Sequence, residues 1–562
     1  METVTPPQAT AGAIPDTKAR KGDAGDTGPS VSAGYGCGPN RGKTGSVTTT
    51  TLQEPRVRVE IRRPAPSRAP WDAVAVAVLA MVVSAAGSAR PSLWFDEAAT
   101  ISASTRTVGE LWRMVANIDA VHGLYYLLMH GWFTVLPATE FAARLSSAVA
   151  AGAAAAGVVV LGRQMSGRAV AVTAGVIFAI LPRVTWAGAE TRSYALTMAA
   201  AVWLTVFCVR TARRRSRWGW LVYAVLMIAA VFLNVFLVLM LPVHAIVVIT
   251  FARTRAPVRR WAVAAAVTAV VALPFLLFTQ SQLFQVQWIS PPGVQTIGDI
   301  LGVQYFDHAV GFAALAGVMI VSGLLCLWQV GGVTGPRPGR LVAVTASWIA
   351  IPTLALLAYS VLRHPVYYPR YLSFTAPAVA LLLGLCVVAV GRSRTAVTAI
   401  VVLFALTAAP NYLSQRGPYA KEQMDFSQVA DVLDRYATPG DCLVLDNSAA
   451  WKPGPIRPLT AARPAVYQKL RDYGRGLTAI QRNRLWDNHI AVWAWAHKMP
   501  GCPTLWTVTE RDPTRPDEER GTDLPPGPRL ERTMAYQVPG RFGFHPVQRW
   551  QFSFAQVVKS VQ

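Results

Sequence analysis

The strongest constraint in this sequence is the block from about residue 72 to 410, a succession of apolar runs cut by short polar loops. Backbone polar groups inside a bilayer must be satisfied within their own segment, so such runs become membrane helices rather than a soluble core. The runs fall near 72–89, 144–161, 169–186, 194–209, 218–232, 235–252, 261–279, 311–330, 341–361, 371–391 and 396–410. They predict a mainly α, polytopic membrane protein with about eleven spans, in a range of ten to thirteen. Several runs are shorter than the roughly 20 residues that cross a bilayer, which softens their boundaries. The stretch 124–137 is shorter still and suits a helix lying in or dipping into the interface. Only 15% of the chain is charged, against about 25% in soluble proteins. That deficit excludes an ordinary soluble enzyme.

The flanks differ. Residues 1–70 are rich in Gly, Pro, Thr, Ser and Arg and are predicted to be a disordered cytoplasmic tail. They carry no signal-peptide core, so the first apolar run is expected to remain as an anchor. Residues 71–410 form the predicted transmembrane domain. Residues 411–562 turn abruptly polar and Pro-rich and predict a small soluble α/β domain, with a helix over Asp425–Tyr436 followed by a strand at Leu443–Leu445. Cys442 and Cys502 both fall in this domain; an oxidising compartment would permit a bond, and spacing leaves it open.

The formal charge of +23 alone would suggest nucleic acid. Its distribution gives a different reason. Arginines cluster in short loops: Arg210–Arg217, Arg253–Arg260, Arg163 with Arg168, Arg337 with Arg340, and Arg392 with Arg394. With eleven spans, all five loops share a side with the basic N-terminus. The positive-inside rule then predicts a multi-pass plasma-membrane protein with a cytoplasmic N-terminus and an extracytoplasmic C-terminal domain, and no nucleic-acid partner.

Between residues 73 and 421 the acidic residues are Asp96, Glu97, Glu110, Asp119, Glu140, Glu190, Asp299 and Asp307, and in this topology all lie on or near the outer side. Asp96–Glu97 follows the first span in Ser92-Leu-Trp-Phe-Asp-Glu-Ala-Ala-Thr100. Two carboxylates beside Trp94 and Phe95 suit proton abstraction, though an acidic pair capping the next helix is the commoner use of such a pattern. Glu190-Thr-Arg192-Ser-Tyr194 sits at an outer mouth, where it could hold a phosphate or sugar or simply close a helix end. The segment Arg363-His364-Pro-Val-Tyr367-Tyr368-Pro-Arg370-Tyr371 is dense in donors. Arginine there runs against the positive-inside bias, so a phosphate ligand and plain headgroup contact both remain open. His122-Gly-Leu-Tyr125-Tyr126 opens the interfacial stretch. No HExxH, CxxC, P-loop or GxGxxG pattern stands in a supporting context.

Taken together, Phe95-Asp96-Glu97, His122-Gly-Leu-Tyr-Tyr-Leu-Leu, Arg144-Leu-Ser-Ser, the basic turn Gly162–Arg168, Pro182, Glu190-Thr-Arg192-Ser-Tyr194-Ala-Leu and Pro369-Arg370-Tyr371 resemble the GT-C integral-membrane glycosyltransferases. The similarity is to the clan of protein O-mannosyltransferases and aminoarabinose transferases, in particular bacterial cell-envelope mannosyltransferase-like proteins. It implies a helical body with long outer loops over a lateral lipid groove. It implies a polyprenyl-phosphate sugar donor, mannose first among the sugars, and inverting transfer to an envelope glycan, glycolipid or protein. Asp96 would be the catalytic residue. Glu97, His122, Tyr125, Glu190, Arg192, Tyr194, Arg363, His364, Tyr368 and Arg370 would line the substrate sites. No cofactor is required; a divalent cation is admissible, with no ligand cluster that compels one. A flippase for lipid-linked sugar and a non-catalytic glycan-binding scaffold are the competing readings.

Overall fold

The computed structural model describes residues 69–214, 216–329, 338–446, 456–514 and 527–562. The tail up to residue 68, with its expected disorder, lies outside them.

Every predicted apolar run becomes helix. α1 (Ala69–Ala85) leads into the short α2 (Phe95–Ser104) and α3 (Val108–Val115), then α4 (Gly123–Val135) over the interfacial stretch. There follow α5 (Glu140–Met165), α6 (Arg168–Ile180), α7 (Pro182–Ala187), α8 (Tyr194–Arg213), α9 (Trp218–Leu233), α10 (Met240–Phe251), α11 (Arg255–Gln280), the short α12 (Val294–Gly298), α13 (Val310–Gln329), α14 (Pro338–Leu362), α15 (Ala376–Gly391) and α16 (Arg394–Ser414). Among the described residues seven apolar segments are long enough to cross a bilayer: α5, α8, α11, α13, α14, Pro369–Gly391 and α16. The shorter apolar helices Trp71–Ala85, Arg168–Ile180, Trp218–Leu233 and Val235–Phe251 occupy the other four predicted runs. These helices make the chain a multi-pass membrane protein. The run near 169–186 is split because Pro182 cannot continue α6 and instead starts α7. α16 carries the apolar block to Ser414, past the expected boundary at 410.

Burial sorts the helices. The spans at α15 and α8 are 78% and 72% buried, whereas α16 is 11% and α13 17% buried. The first two form the centre and the second two are rim helices whose apolar sides face lipid. Close approach at the centre depends on glycine: a Cβ on Gly384 of α15 would meet the Ala174 backbone of α6 at 2.7 Å. His244 of α10 is buried inside the bundle, and both its ring nitrogens are used. Its ring nitrogens meet the Tyr223 hydroxyl at 2.8 Å and the Thr205 hydroxyl at 3.1 Å.

The basic loops gather at one end of the bundle. Asp72 at the start of α1 pairs with Arg163 and Arg168, Arg213 donates to the Gln164 carbonyl at 2.8 Å, and Arg213 and Arg340 both lie over the Phe251 ring. The acidic cluster that includes Asp96 occupies the opposite end of α1.

In the polar C-terminal region, α17 (Phe426–Tyr436) precedes β1 (Cys442–Leu445). With β2 (Leu505–Glu510), β3 (His545–Gln551) and β4 (Ala555–Val561) it forms a mixed sheet in the order β1-β2-β4-β3. β1 runs parallel to β2; the other pairs are antiparallel. Cys442 and Cys502 are disulfide-bonded, with Cα atoms 5.6 Å apart. Leu93 and Trp94 share one hydrophobic core with Phe426, Val429, Leu433 and Val557. The loop that leads to Asp96 is therefore packed into the C-terminal region as well as the helical body.

Candidate active site

Asp96 and Glu97 both lie in the first turn of α2, yet neither caps it; Trp94 holds the N-cap position without a side-chain bond. Their environments diverge. Glu97 is fully buried, and Arg144 of α5 grips it through Nε at 2.8 Å and Nη2 at 2.5 Å. Thr191 N–H donates to the same carboxylate at 2.9 Å. Arg144 also donates to the carbonyls of Ser88, Pro91 and Ser92 at 2.7–2.8 Å. It thereby fixes the whole turn between α1 and α2. From the other side, Ser427 at the start of α17 exchanges hydrogen bonds with Leu93 N and Ser92 Oγ.

Asp96 keeps 17% of its side chain exposed and has only long ionic contacts, to Arg370 Nη2 at 3.5 Å and Arg192 Nε at 3.8 Å. Both guanidinium groups are otherwise well placed. Arg192 donates to the Tyr126 hydroxyl at 3.2 Å and to His122 Nε2 at 2.8 Å; Tyr126 in turn donates to Asp119 at 2.7 Å. Arg370 lies 4.7 Å over the Tyr368 ring and 5.3 Å over Trp94. Nε of Arg192 and Nε of Arg370 have no hydrogen-bond partner among the described residues. Because a guanidinium only donates, His122 Nε2 must accept, which leaves the proton on Nδ1. Loss of hydration holds His122 well below its ordinary pKa, and the charges of Arg192 and Arg370 push the same way. Its Nδ1–H is a third buried donor without a partner among the described residues.

Glu190 is fully buried. Trp94 Nε1 donates to it at 2.7 Å and Lys421 pairs with it. Burial pushes this carboxyl above the usual range, while the Lys421 ammonium pulls it back. Glu190 thus steadies the Trp94 ring that carries Arg370, and its oxygens are occupied.

Of the sequence candidates, Asp96, His122, Arg192, Tyr194, Tyr368 and Arg370 come together. Glu97 and Glu190 lie beside them, their oxygens held by Arg144 and Thr191 N–H and by Trp94 and Lys421. Tyr125 is buried with a hydroxyl that lacks a partner among the described residues, and Tyr194 packs on Trp186. Arg363 is exposed and His364 bonds the Pro365 carbonyl at 3.1 Å; no described ion pair or hydrogen bond joins either to Asp96. Arg144, Tyr126, Asp119 and Lys421 carry no site role in the sequence reading, yet all four stand in the wall around Asp96. Lys421, the first lysine after Lys43, was the most visible of these signals.

No group of three or more His, Cys, Asp or Glu gathers as a metal cage among the described residues. Two guanidinium groups already face Asp96, so a divalent cation there would meet positive charge. The donor set suits an anion. Beside it an apolar groove of about 420 Å³ runs between α4, α8 and α9, from Leu124 and Leu196 past Trp203 and Phe207 to Arg210. Along α8, Leu196 to Arg210 spans about 21 Å at 1.5 Å per residue, most of the roughly 30 Å hydrocarbon thickness.

No family model matches the sequence, and no curated protein matches it. The structure is similar to that of ArnT from Cupriavidus metallidurans in the apo state, with 13% identity and a TM-score of 0.55 over 88% of this chain and 98% of that one. The same protein bound to undecaprenyl phosphate matches with a TM-score of 0.54. The Archaeoglobus fulgidus oligosaccharyltransferase is more distant, at 12% identity and a TM-score of 0.42 over 78% of this chain and 69% of that one. In architecture, then, this chain has the GT-C fold.

Proposed function

We propose that the chain is an inverting glycosyltransferase that moves a sugar from a polyprenyl-phosphate donor to an acceptor hydroxyl at the outer face of the membrane. The observation that carries this reading is the setting of Asp96: a partly open carboxylate between two arginines with unpartnered N–H groups, at the head of a lipid-facing apolar groove. The undecaprenyl phosphate bound by ArnT supports it by analogy of fold.

The chemistry follows from the groups present. The prenyl chain lies in the groove and presents its phosphate to Arg192 and Arg370. The acceptor oxygen attacks the anomeric carbon, and Asp96 takes the hydroxyl proton as the new bond forms. The bond from carbon to phosphate oxygen breaks on the opposite face, and the leaving phosphate gathers charge beside Arg192 Nε–H, Arg370 Nε–H and His122 Nδ1–H. A single displacement inverts the anomeric centre. Phosphate leaves without protonation, so one carboxylate suffices. The resemblance makes mannose the first sugar to try and an envelope glycan, glycolipid or protein the acceptor, with a cytoplasmic N-terminus and this site outside the plasma membrane.

Purified protein in detergent, given polyprenyl-phosphate mannose and an envelope extract, tests this. Transfer should be lost by about 10²–10⁴-fold in Asp96→Asn, the usual scale for removing a general base. Turnover within a few-fold of wild type removes Asp96 from that role.

A further inference from the structure

Between α16 and α17 the chain passes beside the site as a strap, residues 415–425, and the strap is fastened on both sides. Arg416 donates to the carbonyls of Val83, Ser84, Ala86 and Thr185, and the Pro418 carbonyl accepts from Ser92 N–H at 2.8 Å. Lys421 pairs with Glu190 and lies 4.9 Å over the Trp186 ring. Beyond it, Asp425 accepts from the N–H groups of Phe554 and Ala555 at 2.8 Å.

Between these anchors the strap makes a tight turn. Met424 N–H donates to the Lys421 carbonyl at 2.9 Å, and the two residues between them, Glu422 and Gln423, have φ of 51° and 59°. Positive φ at both central residues is the pattern of a type I′ turn, which suits Gly and Asn and is costly for longer side chains. The turn sets Glu422 against Arg370. Glu422 Oε1 lies 3.8 Å from Arg370 Nη1, while Asp96 lies 3.5 Å from Nη2. The Glu422 side chain is 59% exposed, and this is its one ion pair among the described residues. So long and open a contact adds little stability, and the backbone beneath it favours another residue. Strain held in place by its surroundings is a mark of functional positions.

Two carboxylates thus face two nitrogens of one guanidinium. Arg370 is 8% exposed, and its Nε has no hydrogen-bond partner among the described residues. A phosphate seated on Arg370 carries its sugar on one of its own oxygens, which brings that sugar beside Glu422 as well as Asp96. An ionised carboxylate only accepts hydrogen bonds, and sugar hydroxyls supply donors. We infer that Glu422 reads the transferred sugar, accepting from its hydroxyls, and that the site takes a neutral sugar. A uronic acid would set like charge against like there. The inference rests on the transferase reading above and adds to it the class of sugar.

The test is equilibrium binding to the full chain in detergent, with polyprenyl phosphate and its mannose, arabinose and galacturonate esters as probes. The readout is the ratio of the Kd of the bare phosphate to that of each sugar-bearing lipid, which cancels any change in phosphate binding itself. In the wild type at least one neutral sugar should raise affinity above that of the bare phosphate. Glu422→Gln should lower that ratio about 5–20-fold, the scale of a hydrogen bond to an exposed charged group, and should raise the ratio for galacturonate. Glu422→Asn suits the left-handed turn; it should lose the neutral-sugar ratio equally and unfold no earlier than wild type, so that a collapsed turn does not explain the loss. Ratios unchanged in both variants, a neutral sugar that adds nothing in the wild type, or equal tightening of all four lipids, which would make Glu422 only a competitor for Arg370, overturns the inference. Bare-phosphate binding with a ratio indifferent to Glu422 sinks this inference alone; a wild type that binds no polyprenyl phosphate sinks the transferase reading and this inference with it.

Discussion

Asp96 and Glu97 are adjacent carboxylates in one helical turn, and neutralising them should have opposite consequences. In Glu97→Gln the shape is kept but Arg144 loses its counter-charge in a site where both side chains are fully buried. Breaking a buried pair from one side costs about 3–5 kcal/mol, because the remaining charge stays desolvated. The amide also turns a donor toward a guanidinium that can only donate. In Asp96→Asn the lost contacts are 3.5 and 3.8 Å long, against 2.5 and 2.8 Å between Glu97 and Arg144, so less attraction is lost with distance. Unfolding in mixed micelles, followed by tryptophan fluorescence, should place Glu97→Gln at least about 2 kcal/mol below Asp96→Asn. Donor turnover should show the inverse at a temperature where both are folded, with Asp96→Asn the more damaged. A double-mutant cycle of Glu97→Gln with Arg144→Met should yield a coupling of about 2–3 kcal/mol. Equal stabilities of the two single variants, or additive losses in the cycle, would refute the assignment of Glu97 to the scaffold.

Arg370→Lys should keep the charge but lose the planar fork, raising the KM for the lipid-phosphate donor about 10–100-fold with the acceptor KM unmoved; equal donor kinetics would assign Arg370 to plain headgroup contact. Reduction of Cys442–Cys502, which closes a 60-residue separation, should destabilise the C-terminal region by roughly 4 kcal/mol in the chain-entropy model; an unchanged unfolding midpoint in dithiothreitol argues otherwise. A reporter fused after Gln562 should be active outside the cytoplasm, and protection of the C-terminal region from external protease in spheroplasts would reverse the topology. Burial pushes Asp425 up to about 6, above its unfolded value near 3.9, so the folded state binds the extra proton between those values. Stability should therefore fall by about 3 kcal/mol as pH rises through that window, and Asp425→Asn should flatten the profile. The amide can still accept from Phe554 and Ala555 N–H, and its nitrogen falls where Asp425 Oδ1 has no partner among the described residues.

The helices were legible because a bilayer imposes one rule on every residue it touches, and a run of apolar side chains displays that rule locally. The α17–β1 succession was legible for the same reason, through periodicity. The division of labour at the site was not. Glu97 and Asp96 look alike in sequence, and what separates them is Arg144, 47 positions away. Glu190 looks like a ligand for phosphate beside Arg192 until Lys421, 231 positions on, is seen against it. At Arg363 and His364 a donor-rich string contains Arg370, which pairs with Asp96, while no described ion pair or hydrogen bond joins its first members to Asp96.

What distinguishes Asp96 from Glu97, Asp119 and Glu190 is unsaturation, not burial. A carboxylate can take a proton from substrate only if a lone pair is left for it. Glu97 has three donors on its oxygens. Glu190 has Trp94 and Lys421, and Asp119 holds Tyr126. Asp96 alone of these four has no side-chain contact shorter than 3.5 Å. The same accounting applies to the cations: Arg144 is spent on the scaffold, while Arg192 and Arg370 each keep an Nε with no hydrogen-bond partner among the described residues. His122 then acquires a reason to stand where it does. By accepting from Arg192 it uses the nitrogen that could otherwise have taken a proton, so it stays neutral and offers a donor. The wall is finished with structural pairs, and the hydrogen bonds left unspent around Asp96 are the ones the proposed reaction would use: a lone pair for an acceptor hydroxyl and N–H donors for a departing phosphate.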